Sequence, residues 1–526
     1  MLLAFPETCG LLTPRELAIT NEDVNTLLKR LSSGEWSAVE VTIAFYKRAI
    51  VAQQLVNCLT EIFVERALAR AAELDDALKK TGKIVGPLHG LPISLKDQLC
   101  IKGLETTIGY VSLIGEYADK NAVLVDILEE CGAVLFVRTN VPQTLMWAET
   151  LNNIFGRTTN PYNRSLTAGG SSGGEGALVA LKGSPIGVGS DIGGSVRIPS
   201  AFCGVYGLKP SYGRVPYGGA LNSLEGQDSV LSVFGPITSS ISGLKTFMEA
   251  VIKAKPWLRD PLAVRKKWDE AEYQLKDRDN GRKLCFAIMW DDGVCVPHPP
   301  ITRALKRVQE VLTNAGHNVI AWYPIEHRRL GNLTVCDAVL QLSENEARHR
   351  SFQERDLGCR LSGRFRLGYL SERRAPYRHY GSGRKSSYCR IFRARKAASL
   401  HISSGKFRKR GKISAPLDAI ICPASPYAAP PHGHSKFNHY SVVWNALDYT
   451  ASIFPVTTVD PAIDVKQPRE SFIDAFDREV YDMYEPETFH DAPICLQLVG
   501  RTLEEEAVIA MTEIVDAALK ATNEQL

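Results

Sequence analysis

The sequence predicts an α/β fold, because segments with helical periodicity alternate with short apolar strands along the chain. A helix over Ala122–Cys131 leads into an apolar strand over Ala133–Val137. The same order returns where a helix over Glu175–Lys182 precedes a short strand over Pro185–Gly189. A helix that leads into a buried strand is typical of this fold class.

Capping residues mark the predicted starts and ends of the helices. Residues 21–80 carry apolar residues at helical spacing, with Asn21 and Ser37 as predicted N-caps. Asn121 is predicted to cap the next helix, and Gly132 to end it. The later part of the chain continues the alternation of strands and helices. Its predicted elements are a strand over Lys283–Trp290, an amphipathic helix over Ile301–Ala315, strands over Asn318–Trp322, Ala419–Cys422 and Leu496–Val499, and a closing helix over Leu503–Leu519.

Composition places the chain among ordinary globular proteins. It has 526 residues, of which 44% are hydrophobic and 23% are charged. A chain of this length can bury a large core, and length alone suggests about three domains.

The small net charge of +4 hides one very basic segment. Arg348–Lys412 holds 20 Lys and Arg residues against three acidic residues, so the rest of the chain is acidic. Residues 343–412 follow neither the strand period nor the helix period, and they are too long for an unstructured loop inside a domain. A basic patch for nucleic acid or a membrane surface is one interpretation, but a solvated run is favoured, so no nucleic-acid partner is expected.

Cysteine usage predicts reduced thiols and a cytoplasmic location. The twelve cysteines include no C-x-x-C pair, and the Cys295–His298 spacing has no second pair near it. No zinc or other metal is therefore expected. The first residues lack a basic segment followed by a sustained apolar one, and no stretch approaches the ~18 apolar residues that span a bilayer.

Two Ser/Gly-rich loops and one lysine point to chemistry. The loops are Gly169–Gly174 and Asp191–Ser195, and their serines Ser171 and Ser195 stand 24 residues apart. Upstream, Lys96 follows an apolar run that could bury it. Burial favours the neutral amine, which could take a proton from a serine nucleophile through the second serine. The glycines allow tight turns whose N–H groups converge on one point, as an oxyanion hole requires.

Several other interpretations of these residues remain. The loops could be a flexible Gly/Ser linker, although apolar runs adjoin them, and Lys96 alone could be a surface lysine. Gly169–Gly173 also fits G-x-S-x-G, but no apolar strand precedes it. Gly187 and Gly189 match the first two glycines of a dinucleotide-binding motif, but the third glycine position holds Ile192. His89 could be a base, but a structural histidine is the favoured interpretation.

Longer stretches around these loops resemble the amidase signature family, in its fungal acetamidase-like branch. The resemblance covers roughly residues 20–340 and 415–520. The segments that match the family are Asn140–Gln143, Phe155–Pro161, Tyr206–Ser211, Trp290–Gly293, His298–Pro300 and Leu496–Arg501.

The resemblance implies a role for each loop residue. Lys96 would be the base, Ser171 a bridging serine in a cis peptide, and Ser195 the nucleophile. Leu145 falls where relatives contact substrate. The backbone N–H groups implied in the oxyanion hole are those of Ile192, Gly193, Gly194 and Ser195.

The resemblance also implies a fold, which replaces the three-domain expectation. It is a single α/β/α layered domain around a large, mostly parallel mixed sheet. Residues 1–80 are expected to form a helical region packed on the core, and residues 81–526 the amidase signature domain. Within it, residues 343–412 do not resemble the family, and are either a real insertion or an artefact of the gene model. Ser190 stands where relatives usually have threonine.

The predicted function is hydrolysis of a carboxamide to a carboxylic acid and ammonia or an amine, through an acyl-enzyme. The expected partner is a small-molecule amide, with no cofactor, no membrane span and a homodimer left open. Two alternatives remain: an amidotransferase A-type subunit of the glutamyl-tRNA kind, and a catalytically inactive relative.

Overall fold

An eleven-stranded mixed sheet with helices around it forms the centre of the protein. The computed structural model describes residues 2–223, 226–227, 229–324, 326–332, 334, 417–436 and 439–523. The basic segment predicted at 343–412 lies outside these residues. Within them, the α/β class predicted from the sequence is confirmed.

Thirteen strands are present in the described residues, and eleven of them form the large sheet. They are β1 (Leu59–Ile62), β2 (Pro92–Lys96), β3 (Val134–Thr139), β4 (Leu151–Asn152), β5 (Gly156–Arg157), β6 (Ile186–Asp191), β7 (Tyr206–Lys209), β8 (Val233–Thr238), β9 (Cys285–Met289), β10 (Asn318–Trp322), β11 (Ala419–Pro423), β12 (Ala451–Thr458) and β13 (Pro493–Val499). The order across the large sheet is β1-β3-β2-β6-β8-β7-β12-β13-β11-β9-β10, and β4 pairs with β5 separately.

The α-helices whose bounds the structure gives cover this sheet. They are α1 (Phe5–Thr8), α2 (Pro14–Asn21), α3 (Val24–Ser33), α4 (Ala38–Val56), α5 (Val64–Thr81), α6 (Val123–Glu130), α7 (Gly173–Ala180), α8 (Arg197–Phe202), α9 (Ile241–Lys253), α10 (Glu270–Tyr273), α11 (Pro299–Asn314), α12 (His439–Ala446), α13 (Ala475–Met483) and α14 (Glu505–Asn523). None of the described helices is long and apolar enough to cross a membrane.

The sheet is mixed, as expected, but the expectation that it is mostly parallel was wrong. Six of its ten neighbouring strand pairs are antiparallel, and four are parallel. The parallel pairs β2–β3 and β9–β10 are each joined through a crossover helix, α6 and α11. Strands β7–β8 and β12–β13 are joined by long connections that reverse the chain direction, so the centre of the sheet is antiparallel.

The N-terminal residues are largely helical, and they also contribute an edge strand. Strand β1 pairs antiparallel with β3. Leu27, Phe45 and Leu74, from three N-terminal helices, belong to the same hydrophobic core as the sheet. The domain boundary at residue 80 stays a prediction.

The predicted caps agree with the structure only in part. Ser37 caps α4 by accepting a hydrogen bond from the Glu40 amide at 3.0 Å. Asn21 instead ends α2, and Asp23 caps the next helix. The Asn121 side chain donates to Asp126, and Ala122 occupies the N-cap position of α6.

The parallel pair β2–β6 positions the site. Lys96 is the last residue of β2, and Ser190 and Asp191 end β6, so all three lie at the carboxyl edge of neighbouring strands. Because both strands run the same way, their last side chains meet at one edge of the sheet.

Candidate active site

Lys96 is completely buried at the end of β2. Its Nζ lies 2.7 Å from Ser171 Oγ and 2.8 Å from Ser190 Oγ. The surface-lysine interpretation is therefore excluded. The structure brings the predicted lysine and the first predicted serine into direct hydrogen-bond contact.

Burial lowers the pKa of Lys96 to about 7, against an ordinary value of 10.5. Removal from water disfavours the charged ammonium, while the carboxyl groups of Asp191 and Glu175 partly oppose this effect. A lysine with this pKa is half neutral at neutral pH. It can therefore act as a base where an ordinary lysine cannot.

Ser171 lies in a tight turn, and the peptide bond between Gly170 and Ser171 is cis. The turn packs closely against the backbone of residues 147–149. A Cβ on Gly170 would lie 2.5 Å from the Trp147 carbonyl oxygen, so only glycine fits there. The next residue, Ser172, donates its amide to the Ser195 carbonyl at 3.2 Å, which holds the two serine loops against each other.

Ser195 stands at the end of the second loop, with 9% of its surface exposed. Its hydroxyl makes no hydrogen bond within the described part of the chain. The link between Lys96 and Ser171 is thus formed, and the link between Ser171 and Ser195 is not formed in this rotamer. Hydrogen bonds of this kind are often long before a substrate binds and tighten in the reacting complex.

Asp191 and Arg197 form a fully buried ion pair that shapes the second loop. Arg197 donates two hydrogen bonds to the Asp191 carboxylate, from Nε and from Nη2, each at 3.0 Å. Burial alone would raise the pKa of Asp191, but the Arg197 guanidinium outweighs it and lowers that pKa well below its ordinary range. Asn445 also donates to Asp191, at 2.9 Å, and ties α12 to the loop.

Removing the Arg197 charge should destabilise the fold strongly. We expect Arg197→Met to lower the free energy of unfolding by about 3–5 kcal/mol, because it leaves Asp191 buried without its ion-pair partner. Urea unfolding measures this. The matched control is Arg328→Met, which breaks the half-exposed pair with Asp474 and should cost less than about 1 kcal/mol. Equal losses in the two variants would contradict the structural role of the pair.

The amides of the second loop divide into two groups. The Gly194 N–H donates to Asp191 Oδ1 at 2.8 Å, so it points into the loop. The N–H groups of Ile192, Gly193 and Ser195 have no hydrogen-bond partner among the described residues. Gly194 has φ of 125°, and a Cβ there would lie 2.5 Å from Ser441 Oγ. Glycine at 194 therefore allows the loop to turn, while its neighbours retain free donors.

Glu175 was missed by the sequence analysis. It lies fully buried in the first turn of α7, where Ser94 Oγ donates to it at 2.5 Å and Thr139 Oγ1 at 2.8 Å. Burial raises the pKa of Glu175, while the hydrogen bonds from Ser94 and Thr139 and the nearby Lys96 partly oppose this effect. The available signal was one acidic residue in an otherwise small and apolar helix.

Leu145 belongs to a small apolar cluster with Ile108 and Val141. Its backbone and that of Thr144 are left-handed, with φ of 64° and 70°. Its contact with substrate stays a prediction.

A cavity of about 370 Å³ lies between residues 427–436 and α13. Its lining is mostly apolar, with Tyr427, Phe476 and Met483 among the lining residues. Glu149 accepts hydrogen bonds from the amides of Gly433 and Ser435, at 2.8 and 3.1 Å. Glu149 lies in residues 147–149, which pack against the turn with the cis peptide bond, so these hydrogen bonds connect the cavity wall to that turn.

In the parts of the chain that the structure describes, no group of three or more His, Cys, Asp or Glu side chains is placed to hold a metal ion.

A family model described as Amidase matches residues 40–509. The chain belongs to the amidase family. Among curated relatives, it is 40% identical over 520 residues to an acetamidase of Aspergillus oryzae, covering 98% of this chain and 93% of the relative. It is 39% identical to an acetamidase of Emericella nidulans over 534 residues, covering 98% and 93%.

A solved structure of a fatty acid amide hydrolase has the same fold. It superposes with a TM-score of 0.85 at 32% identity, and the match covers 98% of this chain and 88% of the other. The resemblance stated from the sequence is confirmed, and this amidase is an enzyme of the class expected. The roles of individual residues rest on the geometry described above.

Proposed function

We propose that this amidase hydrolyses a carboxamide to a carboxylic acid and ammonia or an amine, with Ser195 as nucleophile, Ser171 as proton relay and Lys96 as base. One observation carries the proposal: a fully buried lysine amine lies 2.7 Å from the hydroxyl of Ser171. The neutral amine that burial favours is the form that accepts a proton.

In the first step, Ser195 Oγ attacks the amide carbonyl carbon and forms a new C–O bond. The Ser195 proton passes to Ser171 Oγ, while the Ser171 proton passes to the Lys96 amine. The carbonyl oxygen becomes an oxyanion, which the N–H groups of Ile192, Gly193 and Ser195 are free to bind. Each such donor typically contributes about 3 kcal/mol to the lowering of the barrier.

In the second step, the tetrahedral intermediate collapses and the C–N bond breaks. The Lys96 ammonium returns its proton through Ser171 to the leaving nitrogen, which departs as ammonia or an amine. The acyl group remains on Ser195 as an ester. Water then attacks this ester and gives a proton through Ser171 to Lys96. The bond between the acyl carbon and Ser195 Oγ breaks, Lys96 returns the proton through Ser171 to Ser195 Oγ, and the carboxylic acid is released.

The relay requires Ser195 Oγ to approach Ser171 Oγ. Two features support this step. The Ser172 amide bonds to the Ser195 carbonyl, so the two loops are in contact, and no hydrogen bond among the described residues holds the Ser195 hydroxyl away. A change of its χ1 rotamer moves the oxygen without moving the backbone.

The first substrate to test is acetamide, since two relatives that align over nearly the whole chain are acetamidases. Purified wild-type protein should release ammonia from acetamide or from other short carboxamides in a panel. Turnover of amides other than glutamine by the isolated chain would reject the amidotransferase alternative. Absence of turnover across the whole panel would reject the proposed function. The cytoplasmic location and the homodimer stay predictions.

A further inference from the structure

A chain of hydrogen bonds starts at the amine of Lys96 and passes through Ser190, Gln98 and Tyr217. Lys96 Nζ contacts Ser190 Oγ at 2.8 Å, and Ser190 Oγ donates to Gln98 Oε1 at 2.6 Å. The other end of the amide, Gln98 Nε2, donates to the Tyr217 hydroxyl at 2.6 Å, which in turn donates to Ser232 Oγ at 3.0 Å.

The direction of these hydrogen bonds depends on the Gln98 side-chain amide, which has an NH2 group that donates and a carbonyl oxygen that accepts. Gln98 is 1% exposed, and the structure assigns its NH2 group to Tyr217 and its carbonyl oxygen to Ser190. Ser190 has a single proton, which it gives to that carbonyl. Its oxygen can then only accept a hydrogen bond from Lys96. Burial raises the pKa of Tyr217 to about 12, so this hydroxyl stays protonated in the working range.

This direction decides where the lone pair of a neutral lysine amine lies. A neutral amine has two N–H donors and one lone pair. With one N–H directed to Ser190, the lone pair is free to accept the proton of Ser171. If the Ser190 hydroxyl were reversed, it would donate into the lone pair and compete with Ser171 for the base.

We propose that Gln98, acting through Ser190, is a positioning residue that turns the lone pair of Lys96 towards Ser171. This inference rests on the proposed function, because it concerns the base of that same reaction. The backbone of Gln98 is also held in place, since the Leu221 amide donates to its carbonyl at 3.1 Å and Leu99 pairs with Ala220. The tyrosine at the far end is stacked on Phe234, with ring centroids 4.4 Å apart.

The test compares kcat, KM and the pH profile of Gln98→Met and Gln98→Glu with those of wild type. We expect Gln98→Met to lower kcat about 10-fold to 100-fold, because a misplacement of about 1 Å can cost about 10²-fold. KM should change little. The released Ser190 hydroxyl would donate to the lone pair of Lys96, favour the neutral amine and lower the Lys96 pKa. The acid limb of the pH profile, which is the fall in activity at low pH, would therefore shift to lower pH.

Gln98→Glu should shift the acid limb the opposite way. A carboxylate beside Ser190 favours the protonated lysine, so the limb moves to higher pH. The titratable groups that already face Lys96 are Asp191 on β6 and Glu175 on α7, and neither is altered. Opposite shifts in the two variants are a signature that a merely structural role would not produce.

Two further variants keep the test decisive if Gln98→Met folds poorly. Ser190→Ala should lose kcat, and Ser190→Thr should restore it, because threonine again supplies the hydroxyl. Tyr217→Phe keeps the ring stack and removes the partner of Gln98 Nε2, so it should shift the acid limb in the direction of Gln98→Met. The matched control is Gln274→Met, an exposed glutamine whose replacement should change nothing.

A second readout separates this inference from the proposed function. The rate at which a fluorophosphonate labels Ser195 reports activation of the serine without an amide substrate. If wild type is labelled and hydrolyses no amide, the proposed function fails while the labelling rates of the variants still test the inference. Gln98→Met with the wild-type labelling rate, kcat and acid limb would overturn it. A wild-type protein that is neither labelled nor active on any amide would also overturn it.

Discussion

Replacing Ser195 with alanine is expected to abolish amide hydrolysis, with a loss of about 10⁴-fold or more in kcat/KM. The substitution removes the only atom that forms the proposed acyl-enzyme. It should leave the fold intact, because the Ser195 hydroxyl makes no hydrogen bond within the described residues. Steady-state release of ammonia from acetamide measures the loss, and thermal unfolding checks the fold.

A matched serine provides the control for this substitution. Ser165→Ala changes an exposed serine whose hydroxyl donates to Asn163 Oδ1, in the turn before the first serine loop. It should retain wild-type kcat/KM. Full turnover in Ser195→Ala would contradict the assignment of the nucleophile, as would equal losses in the two variants.

The second large effect is expected from Lys96→Met. Methionine fills a similar apolar volume but cannot take a proton, so kcat/KM should fall by about 10²–10⁴-fold. The acid limb of the pH profile should disappear with the lysine. Two buried hydroxyls, on Ser171 and Ser190, lose their partner, while a buried amine that is costly to charge is removed. We therefore expect a stability change smaller than that of Arg197→Met.

The control for the lysine is Lys266→Met, which removes a partly buried lysine paired with Glu272 and Glu506. It should change stability and leave kcat/KM near wild type. Activity within a few-fold of wild type in Lys96→Met would contradict Lys96 as the base, because no other described group contacts Ser171 Oγ as a base.

The α/β class and the tight turns of the two serine loops could be predicted because their signals are local. Lys96 follows an apolar run, and the glycines around Ser171 and Ser195 have few structural explanations other than tight turns. Ser37 could be predicted as a cap for the same reason, since its partner is the Glu40 amide three residues away. The prediction of Asn21 as an N-cap was wrong because Asp23, two residues later, supplies the side-chain acceptor at the start of α3.

The remaining features depend on contacts between distant parts of the chain. The reversal of strands at the centre of the sheet is decided by the long connections after β7 and β12, which carry no short turn signal. The direction of the Gly194 amide depends on Asp191, whose other partners include Asn445, far along the chain. Glu175 and Gln98 are ordinary polar residues in the sequence, and only their burial reveals their partners.

The most direct test of the whole account is the dependence of wild-type kcat/KM on pH. Because the base must be neutral, activity should fall about tenfold per pH unit below the lysine pKa and level off above it. We expect an acid limb near pH 7, the pKa to which burial lowers Lys96, and its loss in Lys96→Met. A limb near the ordinary lysine value of 10.5, or an acid limb near 7 that survives in Lys96→Met, would contradict a neutral buried amine as the proton acceptor.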